Sequence, residues 1–193
     1  MKKIFLKKEY INIGNLILVN SDNPLKENVR ETNLEIYDEN YKEILLDYNA
    51  NLELHKILEE INSQDQIVPV SGYRSLEEQK EIYNTSLIEN GQTFTEQYVA
   101  YPNCSEHQTG LAIDLGLNQE NIDFIRPEFS YNGICQVFRD KAIKYGFIER
   151  YQKEKERITK ISNEEWHFRY VGYPHSEIMR KMRFCLEEYI EYL

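Results

Sequence analysis

Residues 104–117 read CSEHQTGLAIDLGL. From Gly110 onward they alternate, with Leu111, Ile113 and Leu115 on one face and Ala112 and Asp114 on the other. That is the period of a half-buried strand. The apolar face anchors a sheet, which leaves Asp114 free to point into a cleft. His107 precedes the strand across a turn containing Gly110, so an imidazole and a carboxylate seven residues apart can face one point. On its own, His-x6-Asp is weak support for any particular chemistry.

Upstream, 67–70 (IVPV) predicts a short strand and 71–75 (SGYRS) a turn. Ser75 predicts an N-cap, and Glu78 three residues on completes a capping box. The helix that follows is expected over 76–88, stopping at Asn90-Gly91. Arg74 stands at the strand-to-helix junction, where it either faces a loop-built site or pairs with Glu77 or Glu78. An earlier helix begins near Asn51, with Leu52, Leu54, Ile57, Leu58 and Ile61 as its apolar side and His55 as a surface histidine. Residues 10–19 (YINIGNLILV) are β-rich and end at a breaker cluster. Residues 25–49, without clear periodicity, read as an extended arm.

Downstream, polar loops are expected over 92–103 and 118–132. A helix over 133–145 buries Val137, Phe138, Ala142 and Tyr145 and is capped by Gly146. Two strands, 147–151 and 165–171, flank a charged hairpin (152–163), and Pro174 opens a last helix that runs to the C-terminus. The order of elements predicts an α+β fold, a small central antiparallel sheet flanked by helices with the site in a cleft over the sheet. One domain is expected over 1–193, with a strand and arm in 1–50 and the core in 51–193.

Hydrophobic residues at 41% and charged residues at 29% place the 193-residue chain among ordinary globular proteins. A net charge of −10 argues against nucleic acid and against adsorption to an anionic surface. Cys104, Cys135 and Cys185 are odd in number and widely spaced, as reduced cytosolic thiols are. MKKIFLKKEYINIG lacks the apolar core of a secretory signal, and no stretch is long and apolar enough to cross a bilayer. The expectation is a cytoplasmic protein without stable membrane insertion.

A second polar cluster, Asn163-Glu164-Glu165-Trp166-His167, completes the argument. His107, Asp114 and His167 together make a three-ligand zinc site with a fourth position open, the pattern of catalytic rather than structural zinc. One Zn2+ per chain is expected. Zinc would acidify a water and polarise a scissile carbonyl, with a nearby carboxylate as base and an arginine steadying the oxyanion. Strand alternation puts Glu165 and His167 on one face, so Glu164 reaches the site only if the segment is irregular. Trp166 reads as core. Cys104 as a fourth ligand would close the site, so a spectator thiol is preferred; His175 would cap the last helix or lie in solvent. A Ser105-His107-Asp114 nucleophilic triad is set aside because Ser105 lacks a Gly-x-Ser-x-Gly elbow.

SGYRS (71–75), SEHQTGLAIDLG (105–116) and EEWHFRYVG (164–172) resemble the VanY/VanX-type zinc D-Ala-D-Ala peptidases. From Ile67 to Leu193 the chain looks most like the bifunctional VanXY D,D-dipeptidase/D,D-carboxypeptidases. The resemblance implies His107, Asp114 and His167 as zinc ligands, Glu164 rather than Glu165 as general base, Arg74 as the oxyanion-stabilising residue and Ser105 as a substrate contact. It implies small peptide substrates: D-Ala-D-Ala and peptidoglycan precursors ending in it, removed in glycopeptide resistance. A phage-type endopeptidase, an L,D-carboxypeptidase and a non-catalytic zinc-binding module are the competing readings. Oligomeric state is left open.

Overall fold

In a computed structural model, residues 14–26 and 33–193 are described. The stretch beginning at Gly110 does become the organising strand. It is β4 (Ala112–Leu117), in a four-stranded antiparallel sheet with β3 (Ile67–Ser71), β5 (Phe147–Tyr151) and β6 (Glu164–Tyr170), in the order β3-β4-β6-β5. β4 pairs Asp114 with His167 on one side and with Ser71 on the other. Cross-strand partners share a face, so the register alone brings Asp114 and His167 together. Pro69, which cannot donate to a ladder, is tolerated because β3 is an edge strand.

Ile113, Leu115, Phe147 and Phe168 cover the opposite face and belong to the main core with Leu54, Ile57, Leu58, Phe129 and Phe138. Phe129, Phe138 and Phe168 meet edge to face at centroid distances of 4.9–5.7 Å, the arrangement ring quadrupoles favour. This core is roofed by α1 (Tyr48–Glu60) and α3 (Gly133–Ala142). Asp47 caps α1 by accepting from the amides of Asn49 and Ala50. A smaller core of Leu16, Ile148, Val171, Met179, Leu186 and Tyr189 joins the sheet to the C-terminal helices. The fold is α+β, an antiparallel sheet flanked by helices.

Several local expectations are corrected. Part of the 10–19 strand lies outside the described residues, and 14–16 form a 3-10 turn instead. Within 33–49 the extended arm is a hairpin, β1 (Leu34–Ile36) with β2 (Leu45–Asp47). Helix α2 (Leu76–Tyr98) has its capping box at Ser75 and Glu78. It breaks at Gly91 (φ 78°) but resumes over 92–98, where a loop was expected. The buried hydroxyls of Ser86 and Thr95 hydrogen-bond across that kink at 2.8 Å. Leu52 and Val137 are exposed, because each lies about 100–200° around its helix from the buried stripe. The charged hairpin contains a short helix, α4 (Glu156–Thr159). The single last helix is two, α5 (His175–Met182) and α6 (Leu186–Tyr192), with Pro174 as N-cap of α5 and Arg183 in the left-handed region between them.

Candidate metal centre

His107 sits on a 3-10 turn, Glu106–Thr109, that Gly110 ends at φ 72°. A side chain at Gly110 would be strained by that φ and would meet Leu34 Cδ2 at 2.6 Å. The turn therefore closes tightly over the start of β4 and drops His107 onto the polar face of the sheet. There His107, Asp114 and His167 offer ligand atoms that all lie within 4.8 Å of one another, and all three residues are buried. Nε2 of His107 is 3.1 Å from Asp114 Oδ2, and Nδ1 of His167 is 2.9 Å from Asp114 Oδ1.

The far side of the His107 imidazole is accounted for as well. Nδ1 of His107 donates to the Gly72 carbonyl at 2.7 Å, which leaves the Nε2 lone pair facing the cluster. Burial and the neighbouring Arg74 charge push the His107 ring down to about 4, so it is a neutral lone-pair donor near pH 7. His167 behaves oppositely: burial disfavours its charge, but Asp114 and Glu106 outweigh burial and raise it to about 9. Two nitrogens and a carboxylate, converging and buried, are the donor set that suits a divalent zinc ion with an open position, an ion that would displace the extra proton from His167.

Glu164 is 6% exposed, and its Oε2 lies 3.7 Å from His167 Nδ1. The strand is irregular there. Between the Glu149–Phe168 and Tyr151–Glu164 pairs, β5 advances two residues and β6 four. The slip turns Glu164 toward the cluster, while Glu165 stays half-buried and lines a different cleft with Arg139 and Glu149. Burial, with the nearby Asp114 charge, raises the Glu164 carboxyl to about 8 against the pull of His167.

The Arg74 guanidinium reaches Ser71 Oγ at 2.9 Å, Asp114 Oδ2 at 3.0 Å and Gln79 Oε1 at 3.4 Å. It does not take Glu77, which pairs with Lys80, or Glu78, which is spent in the capping box. Phe124 stands against Arg74 at 5.8 Å. Ser105 is buried and, with Phe124, Tyr151 and Trp166, lines the cleft over the cluster. Trp166 belongs to the main core and also edges the cleft.

The remaining candidates lie elsewhere. Cys104 is outside the cluster on an adjoining cavity, its thiol pushed up by burial. His55 bonds the Tyr37 carbonyl at 2.8 Å. His175 bonds the Tyr189 hydroxyl at 2.8 Å and so ties α5 to α6 rather than lying free.

Sequence reasoning missed Glu106, Arg150 and Arg169, whose side chains are fully enclosed behind His167. Burial opposes the Glu106 charge, but the two guanidiniums outweigh it and hold its carboxyl far below the usual carboxylate range. The signal was an arginine inside each of two strands, FIERY and HFRYV. A buried arginine requires a carboxylate partner.

The chain matches the VanY family, D-alanyl-D-alanine carboxypeptidase, over residues 43–173. It is 40% identical over 182 residues to the bifunctional D-Ala-D-Ala dipeptidase and D-Ala-D-Ala carboxypeptidase VanXYC of Enterococcus gallinarum, covering 94% of this chain and 96% of that protein. The vancomycin resistance D,D-dipeptidase VanXYg, solved with a D-Ala-D-Ala phosphinate analog, superposes with a TM-score of 0.92 at 56% identity, over 97% of this chain and 74% of that one. A variant of the D,D-pentapeptidase VanY from a VanB-type resistance cassette, solved with Zn(II), gives a TM-score of 0.76 at 30% identity, over 91% of this chain and 98% of that one. Among the described residues no helix is long and apolar enough to cross a membrane.

Proposed function

The chain belongs to the VanY D-alanyl-D-alanine carboxypeptidase family, and on that premise we propose that it is a zinc-dependent D,D-dipeptidase and D,D-carboxypeptidase. Its substrates are D-Ala-D-Ala and peptidoglycan precursors that end in it, and its activity removes the targets of glycopeptide antibiotics. The observation that carries this reading is the convergence of His107 Nε2, Asp114 and His167 Nδ1 beside a buried Glu164. The likeness to relatives solved with Zn(II) and with a D-Ala-D-Ala analog supports it.

His107, Asp114 and His167 hold the ion. When bound, zinc polarises the scissile carbonyl and brings a water's pKa to about 7. Glu164 takes the proton from the attacking water and returns it to the leaving D-alanine amine, a shuttle that its buried place beside His167 allows. Arg74, fixed at three points, donates to the charge that develops on the carbonyl oxygen. Ser105 contacts the bound dipeptide end.

We read the chain as one peptidase domain that acts in the cytoplasm, where these precursors are made. Its three cysteines, all unpaired, support that compartment. Incubation with D-Ala-D-Ala, a pentapeptide precursor, a tetrapeptide and intact wall tests the reading. D-Alanine is expected from the first two, abolished by a chelator and restored by zinc. Cleavage of tetrapeptide or wall cross-links alone would replace it with an L,D-carboxypeptidase or an endopeptidase.

A further inference from the structure

Among the described residues, Glu106 Oε2 and His167 Nε2 are two of the few buried polar side-chain atoms without a hydrogen-bond partner. They lie 3.6 Å apart. A buried polar atom left alone is costly, and here the two lie side by side.

The rest of the Glu106 carboxylate is fixed. Its other oxygen, Oε1, accepts from Arg150 Nε at 2.8 Å and from Arg169 Nη1 at 2.7 Å. Arg150 is clamped in turn by both carboxylate oxygens of Glu187, at 2.9 and 2.7 Å. Arg169 donates to the carbonyls of Asn15 and Ile17, at 3.0 and 2.7 Å. A carboxylate present only to neutralise an arginine commonly gives it both oxygens, as Glu187 does. Glu106 gives one oxygen to two arginines and leaves the second beside His167 Nε2.

We propose that Glu106 is a positioning residue for the metal centre. Its Oε2 holds the proton on Nε2 of His167, which commits Nδ1 to the ion and places negative charge behind the ring, raising its strength as a ligand. The inference rests on the reading of His107, Asp114 and His167 as zinc ligands. Gly72 does the same for His107 through a neutral carbonyl, so the two imidazoles are backed by different chemistry. The backing of His167 is tied, through Arg150 and Arg169, to α6 and to the segment at 15–17.

The test is Glu106→Gln. Arg150 and Arg169 both donate, so the amide oxygen must face them and its NH2 must face His167 Nε2. That nitrogen can then only accept, and the imidazole proton moves to Nδ1, the atom the metal needs. Zinc affinity, measured by competition with a chromophoric chelator, is expected to fall roughly 10- to 100-fold. Glu187→Gln, which loosens Arg150 without touching His167, is expected to bind zinc as the wild type does. In ¹⁵N NMR of the zinc-loaded wild type, His167 is expected to carry its proton on Nε2, a readout that stands even if Glu106→Gln does not fold. Wild-type affinity in Glu106→Gln, an equal loss in Glu187→Gln, or a proton on Nδ1 of zinc-loaded His167 overturns the proposal. A wild-type chain that takes up no zinc defeats instead the ligand reading beneath it.

Discussion

Replacing Gly72 with alanine should loosen both the fold and the metal centre. The new methyl group would stand 2.4 Å from the Leu45 carbonyl oxygen and 2.9 Å from Ile44 Cγ2. Relief requires the 71–75 turn to part from β2 by about 1 Å, and overpacking of this kind costs about 1–3 kcal/mol. The same Leu45 carbonyl accepts from the Tyr73 amide at 2.7 Å, so parting also weakens a hydrogen bond worth about 1 kcal/mol. A total of roughly 2–4 kcal/mol corresponds to a fall in Tm on the order of 10 °C for a chain this size. The Gly72 carbonyl also fixes His107 at 2.7 Å. Moving it by that distance frees the imidazole to rotate, and zinc affinity should drop about 10- to 100-fold. Thermal unfolding in chelator reads the first effect and zinc competition the second. A variant that melts with the wild type and binds zinc as tightly would show that the turn is not pressed against β2 as described.

Arg74→Lys keeps the charge but cannot span Ser71, Asp114 and Gln79 at once. Its kcat is expected to fall about 100- to 1,000-fold with a smaller change in KM, and an unchanged kcat in steady-state kinetics would remove Arg74 from the oxyanion role. Cys104→Ser should retain one zinc per chain by elemental analysis; loss of the metal would return the thiolate to the ligand set. Glu60 is drawn down to about 2 by hydrogen bonds from Lys141, Tyr145 and Lys144. A depressed carboxylate stabilises the fold above its unfolded value of about 4.3, and that stability is lost as pH falls toward 2. Glu60→Gln should therefore lower Tm at pH 7 and have little effect near pH 2, and equal effects at both would contradict the clamp between α1 and α3.

What could be read from the sequence was what local physics decides. The alternation at 111–115 set the strand, the Ser75–Glu78 box set a helix start, and Gly110 marked the turn that positions His107. The ligand atoms converge because Asp114 and His167 fall opposite each other in register, which strand patterns permit but do not specify. The slip that brings Glu164 inward is set by pairing with β5 and leaves no mark in EEWH. The β1–β2 hairpin was hidden because three-residue strands carry too little period. The helix at 92–98 was hidden because its buried Thr95 is satisfied by Ser86 across the kink rather than by an apolar stripe. The Glu106–Arg150–Arg169 cluster spans partners 44 and 63 residues apart, and only the fold brings them together.

The central claim is that a buried carboxylate beside a His-Asp-His zinc site does the proton work of D-Ala-D-Ala hydrolysis. It is tested most directly by Glu164→Gln, with D-alanine release from D-Ala-D-Ala and bound zinc measured on the same sample. The expected result is one zinc per chain, as in the wild type, with turnover lower by about 100- to 10,000-fold. Near-wild-type turnover with zinc in place would contradict the account.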